Sequence, residues 1–69
     1  MNFNTMHDVQ MLLKRYGQYV YGPGRLATLE LMEIEVKELY EAGMLEREDY
    51  LKALMVLKSE IRKESQGGR

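Results

Sequence analysis

The first periodic segment of the chain lies near its N-terminus. Its apolar residues recur at the spacing i, i+3, i+4 and i+7, which places them on one face of an α-helix. These residues are Val9, Leu12, Leu13 and Tyr16. Thr5 precedes the stripe and Asp8 follows three residues later, which resembles a capping box with Asp in place of Glu. Gly17 stands where a glycine commonly ends a helix, so the pattern predicts a helix from about Met6 to Tyr16.

The second periodic segment runs from about Arg25 to Ala42, with Gly43 placed to end it. Its main apolar stripe consists of Leu29, Met32, Val36, Leu39 and Tyr40. A second stripe on the far side of the same helix consists of Ala27, Leu31 and Ile34. Two interpretations are open: the helix is central and contacts both neighbouring helices, or the second stripe binds a partner or another copy of the chain.

The third segment follows a short connection that begins at Met44. The acidic residues after Leu45 suit the positive end of a helix dipole, and Arg62 and Lys63 suit the negative end. Its apolar stripe consists of Tyr50, Ala53, Leu54, Leu57 and Ile61. The chain is therefore predicted to be all-α, a small three-helix bundle with helices of about 11, 18 and 18 residues. We expect a single domain over residues 1–64 and a disordered tail over residues 65–69.

The composition is that of a small globular domain that has no disulfide bonds. The chain has 69 residues, of which 45% are hydrophobic and 30% are charged, and it contains no cysteine. A secreted domain of this size usually needs disulfides, so we expect a cytoplasmic protein. Neither a targeting segment nor an apolar run of about 20 residues is recognisable, so we expect no membrane association.

Charge is unevenly distributed although the formal net charge is only −1. Residues 1–25 carry three cationic side chains against one carboxylate, and residues 50–69 carry five against two. Residues 26–49, in contrast, carry two cationic side chains against eight carboxylates. The low net charge argues against a protein that neutralises many phosphates of duplex DNA.

Catalytic and metal-binding residues are poorly represented. The chain has no cysteine and one histidine, His7, which the pattern places in the first turn of a helix. A nucleophile with a general base is therefore not recognisable, and the glutamates of the second helix have no histidine beside them to suggest a metal site. We expect no enzymatic activity, no metal and no cofactor.

The segment between the first two helices has an unusual composition. Tyr19 and Tyr21 alternate with Val20, which in an extended segment puts both phenol rings on the side opposite Val20. Aromatic rings beside cationic groups suit single-stranded nucleic acid, because bases stack on rings while cations hold the backbone. The residues concerned are Lys14, Arg15, Tyr16, Tyr19, Tyr21 and Arg25. Alternatively, the tyrosines fill gaps beneath the loop and keep only their hydroxyl groups in water.

The chain also resembles a known family. The segment DVQMLLKRYGQYVY, the later EIEVKELYEAGML and the following YLKAL are similar to the YqgQ-like family of small bacterial proteins. The resemblance covers residues 7–61 and implies a three-helix bundle without known enzymatic activity and a role in binding single-stranded nucleic acid. By motif it implies roles for Lys14, Tyr16, Tyr21 and Arg25. The Gly22, Pro23 and Gly24 run departs from the family pattern, which usually has a bulky residue after the Val-Tyr pair.

From the sequence we therefore expect a non-catalytic module that binds single-stranded RNA or DNA through the tyrosine loop. Further cations for the same ligand are Lys58, Arg62 and Lys63. The alternative function is protein interaction or homodimerisation through Ala27, Leu31 and Ile34.

Overall fold

A computed structural model describes residues 5–67 of the chain. These residues form three α-helices: α1 (Met6–Arg15), α2 (Arg25–Glu41) and α3 (Arg47–Gly67). The predicted all-α three-helix bundle is confirmed. None of the helices in the described part of the chain has the combination of length and apolar character needed to cross a membrane.

Both ends of α1 are fixed by local sequence. Thr5 accepts a hydrogen bond from the backbone N–H of Asp8, while the Asp8 carboxylate accepts one from the backbone N–H of Thr5. This reciprocal pair is the predicted capping box. At the other end Gly17 has a φ of 75°, and the N–H of Gln18 donates to the carbonyl of Leu13 over 2.9 Å. This glycine-dependent turn satisfies the last carbonyls of the helix and starts the loop.

The end of α2 has the same kind of glycine turn as the end of α1. Gly43 has a φ of 79°, and the N–H of Met44 donates to the carbonyl of Leu39 over 2.9 Å. Only three residues then separate this glycine from the start of α3. The short link makes α2 and α3 antiparallel neighbours.

Helix α3 extends further towards the C-terminus than expected. Residues 65–67 continue the helix, in contrast to the disordered tail predicted from residue 65, while residues 68 and 69 lie outside the described residues. Just before this segment, the Glu64 carboxylate lies 3.2 Å from the Arg25 guanidinium at the start of α2. This contact joins the last turn of α3 to α2.

The core comes from all three helices and one connection. Its buried side chains are Val9, Leu12, Leu13, Leu29, Met32, Val36, Leu39, Leu45, Ala53 and Leu57. Except for Leu45, they belong to the three stripes recognised in the sequence. Leu45 lies in the link between α2 and α3 and closes the end of the core there.

The helix that packs closely against both others is α3. The interpretation that α2 is central, with its two apolar stripes covered by two neighbouring helices, is therefore wrong. Leu31 and Ile34 remain 39% and 52% exposed on the outer side of α2. Ala27, in contrast, is half-buried because the loop before α2 folds back onto it.

Candidate nucleic-acid interface

The loop between α1 and α2 presents two tyrosine rings to solvent. Val20 packs partly buried against the core, whereas Tyr19 and Tyr21 are 68% and 82% exposed. This is the alternation predicted from the sequence, with the valine inward and the phenols outward. The alternative that these two tyrosines fill gaps beneath the loop is therefore wrong.

Thr28 holds the loop on the first turns of α2. Its hydroxyl oxygen accepts a hydrogen bond from the backbone N–H of Gly22 over 2.8 Å and donates one to the carbonyl of Gly24, also over 2.8 Å. The N–H of Gly24 in turn donates to the carbonyl of Gly22. The backbone N–H and the backbone carbonyl of Gly22 are therefore both hydrogen-bonded.

Gly22 is required at this point because the loop passes close to the helix. A Cβ atom at residue 22 would lie 3.0 Å from the backbone of Ala27 and 3.0 Å from that of Thr28. Any side chain there would push the loop away from α2. Gly22 therefore determines the path of the loop in this chain.

A groove of about 150 Å³ runs between α1 and the tyrosine loop. On the α1 side it is lined by Gln10, Leu13 and Lys14; on the loop side it is lined by residues 18–21, with Met32 of α2 behind them. The groove brings Lys14 together with Tyr19 and Tyr21, three of the residues predicted to act together. Lys14 is exposed and forms no ion pair with another residue of the described range.

Tyr16 has a different environment from the other two tyrosines of this region. It is partly buried against the core, and its hydroxyl group donates a hydrogen bond to the carbonyl of Met44 over 3.0 Å. The side chain therefore joins the end of α1 to the link between α2 and α3. Tyr16 does not line the groove.

Arg25 is also outside the groove. Its guanidinium lies 3.1 Å from the Glu60 carboxylate and 3.2 Å from that of Glu64. The guanidinium turns towards α3, and Arg25 lines a neighbouring groove that shares Gln10 and Met32 with the groove at the tyrosines. Its charge is already compensated within the bundle.

The other cations that the sequence suggested fall into two groups. Lys58 lies 2.6 Å from the Glu33 carboxylate, and Lys63 lies 3.4 Å from that of Glu60. The hydrogen bond and the charge of Glu33 raise the pKa of Lys58 above its ordinary value of 10.5. Arg15 and Arg62 are exposed and form no ion pair within residues 5–67, but neither lines the groove.

Three residues that position or line this site were missed in the sequence. Thr28 carries a usable signal, since a threonine four residues after Gly24 is able to hydrogen-bond back to its carbonyl. Gln10 and Gln18 carry no such signal, because their contribution depends on how the loop folds over α1. Among the described residues, no three acidic, histidine or cysteine side chains are grouped so that they could hold a metal ion.

The fold and the groove together define a small helical-bundle protein with an exposed aromatic loop. Comparison with known sequences gives the family. The YqgQ-like family model matches residues 3–63, and the chain therefore belongs to the YqgQ-like family. A relative from Bacillus subtilis (strain 168), "Uncharacterized protein YqgQ", is 42% identical over 64 residues, which are 93% of this chain and 90% of the relative.

Proposed function

We propose that this protein binds single-stranded nucleic acid in the groove between α1 and the tyrosine loop. The observation that carries the proposal is the exposure of the Tyr19 and Tyr21 rings at a groove that Lys14 also lines. Bases stacked on such rings gain about 1–3 kcal/mol each, and a lysine beside them provides a contact for the phosphate backbone.

The loop is organised before any ligand arrives. Val20 is packed against the core on one side of Tyr21, and Gly22 is hydrogen-bonded to Thr28 on the other. A ligand that stacks on Tyr21 therefore does not have to order the backbone that carries the ring. Since the cost of ordering a loop subtracts from affinity, this anchoring favours binding.

The electrostatics support a small number of phosphate contacts. Lys14 lines the groove and Arg15 adds a positive charge on the same turn of α1, whereas Arg25 is compensated by two carboxylates. The affinity should therefore depend on salt only weakly, as expected for one or two neutralised phosphates. A cytoplasmic location, where single-stranded RNA is available, is part of this proposal.

The proposal is tested by fluorescence anisotropy with a labelled single-stranded oligonucleotide at two salt concentrations. We expect binding that weakens as salt rises, and Lys14→Gln should weaken it further and reduce the salt slope by about 0.7, the value of one phosphate contact on a single strand. Lys37→Gln is the matched control, because Lys37 is an exposed lysine of α2 that lies outside the groove. Absence of binding at low salt, or equal losses in the two variants, would contradict the proposal.

A second candidate function is protein interaction through the outer stripe of α2. Leu31 and Ile34 are exposed there, although Ala27 is half-buried against the loop. If the stripe joins two copies, sedimentation should show a dimer that Leu31→Glu converts to monomer. Met55→Glu, at an exposed methionine of α3, is the control that should leave the dimer intact. A monomer at all concentrations would exclude self-association.

A further inference from the structure

We propose that the groove holds a pyrimidine base, so that the preferred ligand is a pyrimidine-rich single strand. This inference rests on the proposed function and specifies its ligand. It follows from the size of the groove and from the separation of its two tyrosines along the loop. The two glutamine side chains in the walls of the groove supply the hydrogen bonds to the edge of the base.

The size of the groove suits one six-membered ring. Its volume is about 150 Å³, and a protein cavity of that size is known to accept a single benzene ring. Leu13, Val20 and Met32 supply apolar walls against which the faces of a flat ring can pack. A single-ring pyrimidine matches this volume, whereas a purine would leave its second ring in the open mouth of the groove, without apolar walls around it.

The polar part of the groove offers groups that recognise the edge of a base. Gln10 and Gln18 both line it, and neither side-chain amide is hydrogen-bonded to another residue of the described range. Each amide has a carbonyl acceptor and an NH2 donor. Uracil and thymine present an N–H between two carbonyl oxygens, and cytosine presents an amino group beside a ring nitrogen, so a glutamine amide can pair with either edge. Because such an amide also pairs with adenine, the glutamines hold the base, and the size of the groove selects a single ring.

The spacing of the tyrosines favours strands whose bases stack weakly on one another. Two residues of an extended chain span about 6.6–6.8 Å, roughly twice the 3.4 Å rise per base in a stacked strand. The rings of Tyr19 and Tyr21 are not stacked on each other; the stacked pair among the described aromatic residues is Tyr40 with Tyr50. A strand whose successive bases each stack on a different one of these rings has to unstack those bases from one another, which pyrimidine strands do more readily than purine strands.

The inference is tested with labelled oligo-dT, oligo-dC and oligo-dA of eight nucleotides each, at one low salt concentration. We expect both pyrimidine strands to bind more tightly than oligo-dA. Gln18→Ala should weaken oligo-dT binding about two- to tenfold, the effect of losing one hydrogen bond. Gln66→Ala, at an exposed glutamine of α3, is the control that should leave the affinity unchanged.

A second measurement removes the self-stacking of oligo-dA from the comparison. In a titration of 15N-labelled protein followed by NMR, UMP should shift the Gln18 side-chain amide signals at lower concentration than AMP. Oligo-dA binding as tightly as oligo-dT, with AMP and UMP equivalent, would overturn the pyrimidine inference while leaving the proposed function standing. Failure of every strand and nucleotide to bind would overturn both.

Discussion

The Nε atom of Arg25 lies 3.2 Å from a carboxylate oxygen of Glu64, so the first residue of α2 is joined to the last turn of α3. Glu60 approaches the same guanidinium over 3.1 Å. The sequence and the family resemblance both suggested that this arginine contacts nucleic acid. In the structure its main contacts are with the bundle itself.

Arg25→Ala is therefore expected to affect stability more than binding. Ion pairs as exposed as these contribute about 0.2–1 kcal/mol each, so losing both should lower the free energy of unfolding in urea by about 2 kcal/mol or less. Oligonucleotide affinity should fall less than in Lys14→Gln. Glu64→Gln is the matched change on the other side of the pair and should lower stability without weakening binding. A larger loss of affinity in Arg25→Ala than in Lys14→Gln would contradict this expectation and show that Arg25 contributes to binding.

Thr28→Val should loosen the tyrosine loop. Valine has nearly the shape of threonine but cannot accept the hydrogen bond from Gly22, so the variant should lose about 1 kcal/mol of unfolding free energy. Hydrogen exchange at the Gly22 amide should become faster, and oligonucleotide affinity should fall because the loop is no longer held in place. Thr28→Ser keeps the hydroxyl group and should retain most of both properties. Unchanged exchange at Gly22 in Thr28→Val would rule out this anchoring role.

The ion pair between Lys58 and Glu33 predicts a dependence of stability on alkaline pH. The Glu33 carboxylate raises the pKa of Lys58 above 10.5 in the folded chain, so the pair stabilises the protein fully below 10.5. Its contribution is lost as the pH rises through the higher folded-state pKa. The difference in unfolding free energy between the unsubstituted protein and Glu33→Gln should be constant from neutral pH to about 10 and shrink above 10.5.

Glu30→Gln controls for the loss of one negative charge from α2, because Glu30 is exposed and forms no ion pair within the described range. It should show no comparable change across the alkaline range. A difference between Glu33→Gln and the unsubstituted protein that persists unchanged above pH 11 would argue against the pair.

Features that depend on nearby residues were predicted well from the sequence. Thr5 and Asp8 cap α1 as expected, and Gly17 and Gly43 end their helices with positive φ angles. The alternation around Val20 also predicted which loop side chains face solvent. In each case the interacting residues lie within a few positions of one another along the chain, so the sequence pattern is enough to predict the feature.

Features that depend on the packing of the helices were not predicted. The hydrogen bond from Tyr16 to Met44 joins residues 28 positions apart, and the approach of Arg25 to Glu60 joins residues 35 positions apart. Helical periodicity identifies the buried face of each helix but not which helix covers it, so the sequence left open whether α2 is central and did not indicate that α3 is. The groove was not predicted for the same reason, because its walls come from α1, the loop and α2, and their packing cannot be read from periodicity.

The most direct test of the central claim replaces both exposed rings at once. The double variant Tyr19→Ala/Tyr21→Ala should bind a labelled single-stranded oligonucleotide at least about tenfold more weakly, because stacking is worth about 1–3 kcal/mol per base. Tyr19→Phe/Tyr21→Phe keeps the rings and should retain most of the affinity. Both variants should unfold at nearly the same urea concentration as the unsubstituted protein, since these side chains are 68% and 82% exposed. Unchanged oligonucleotide affinity in the folded alanine variant would contradict the account.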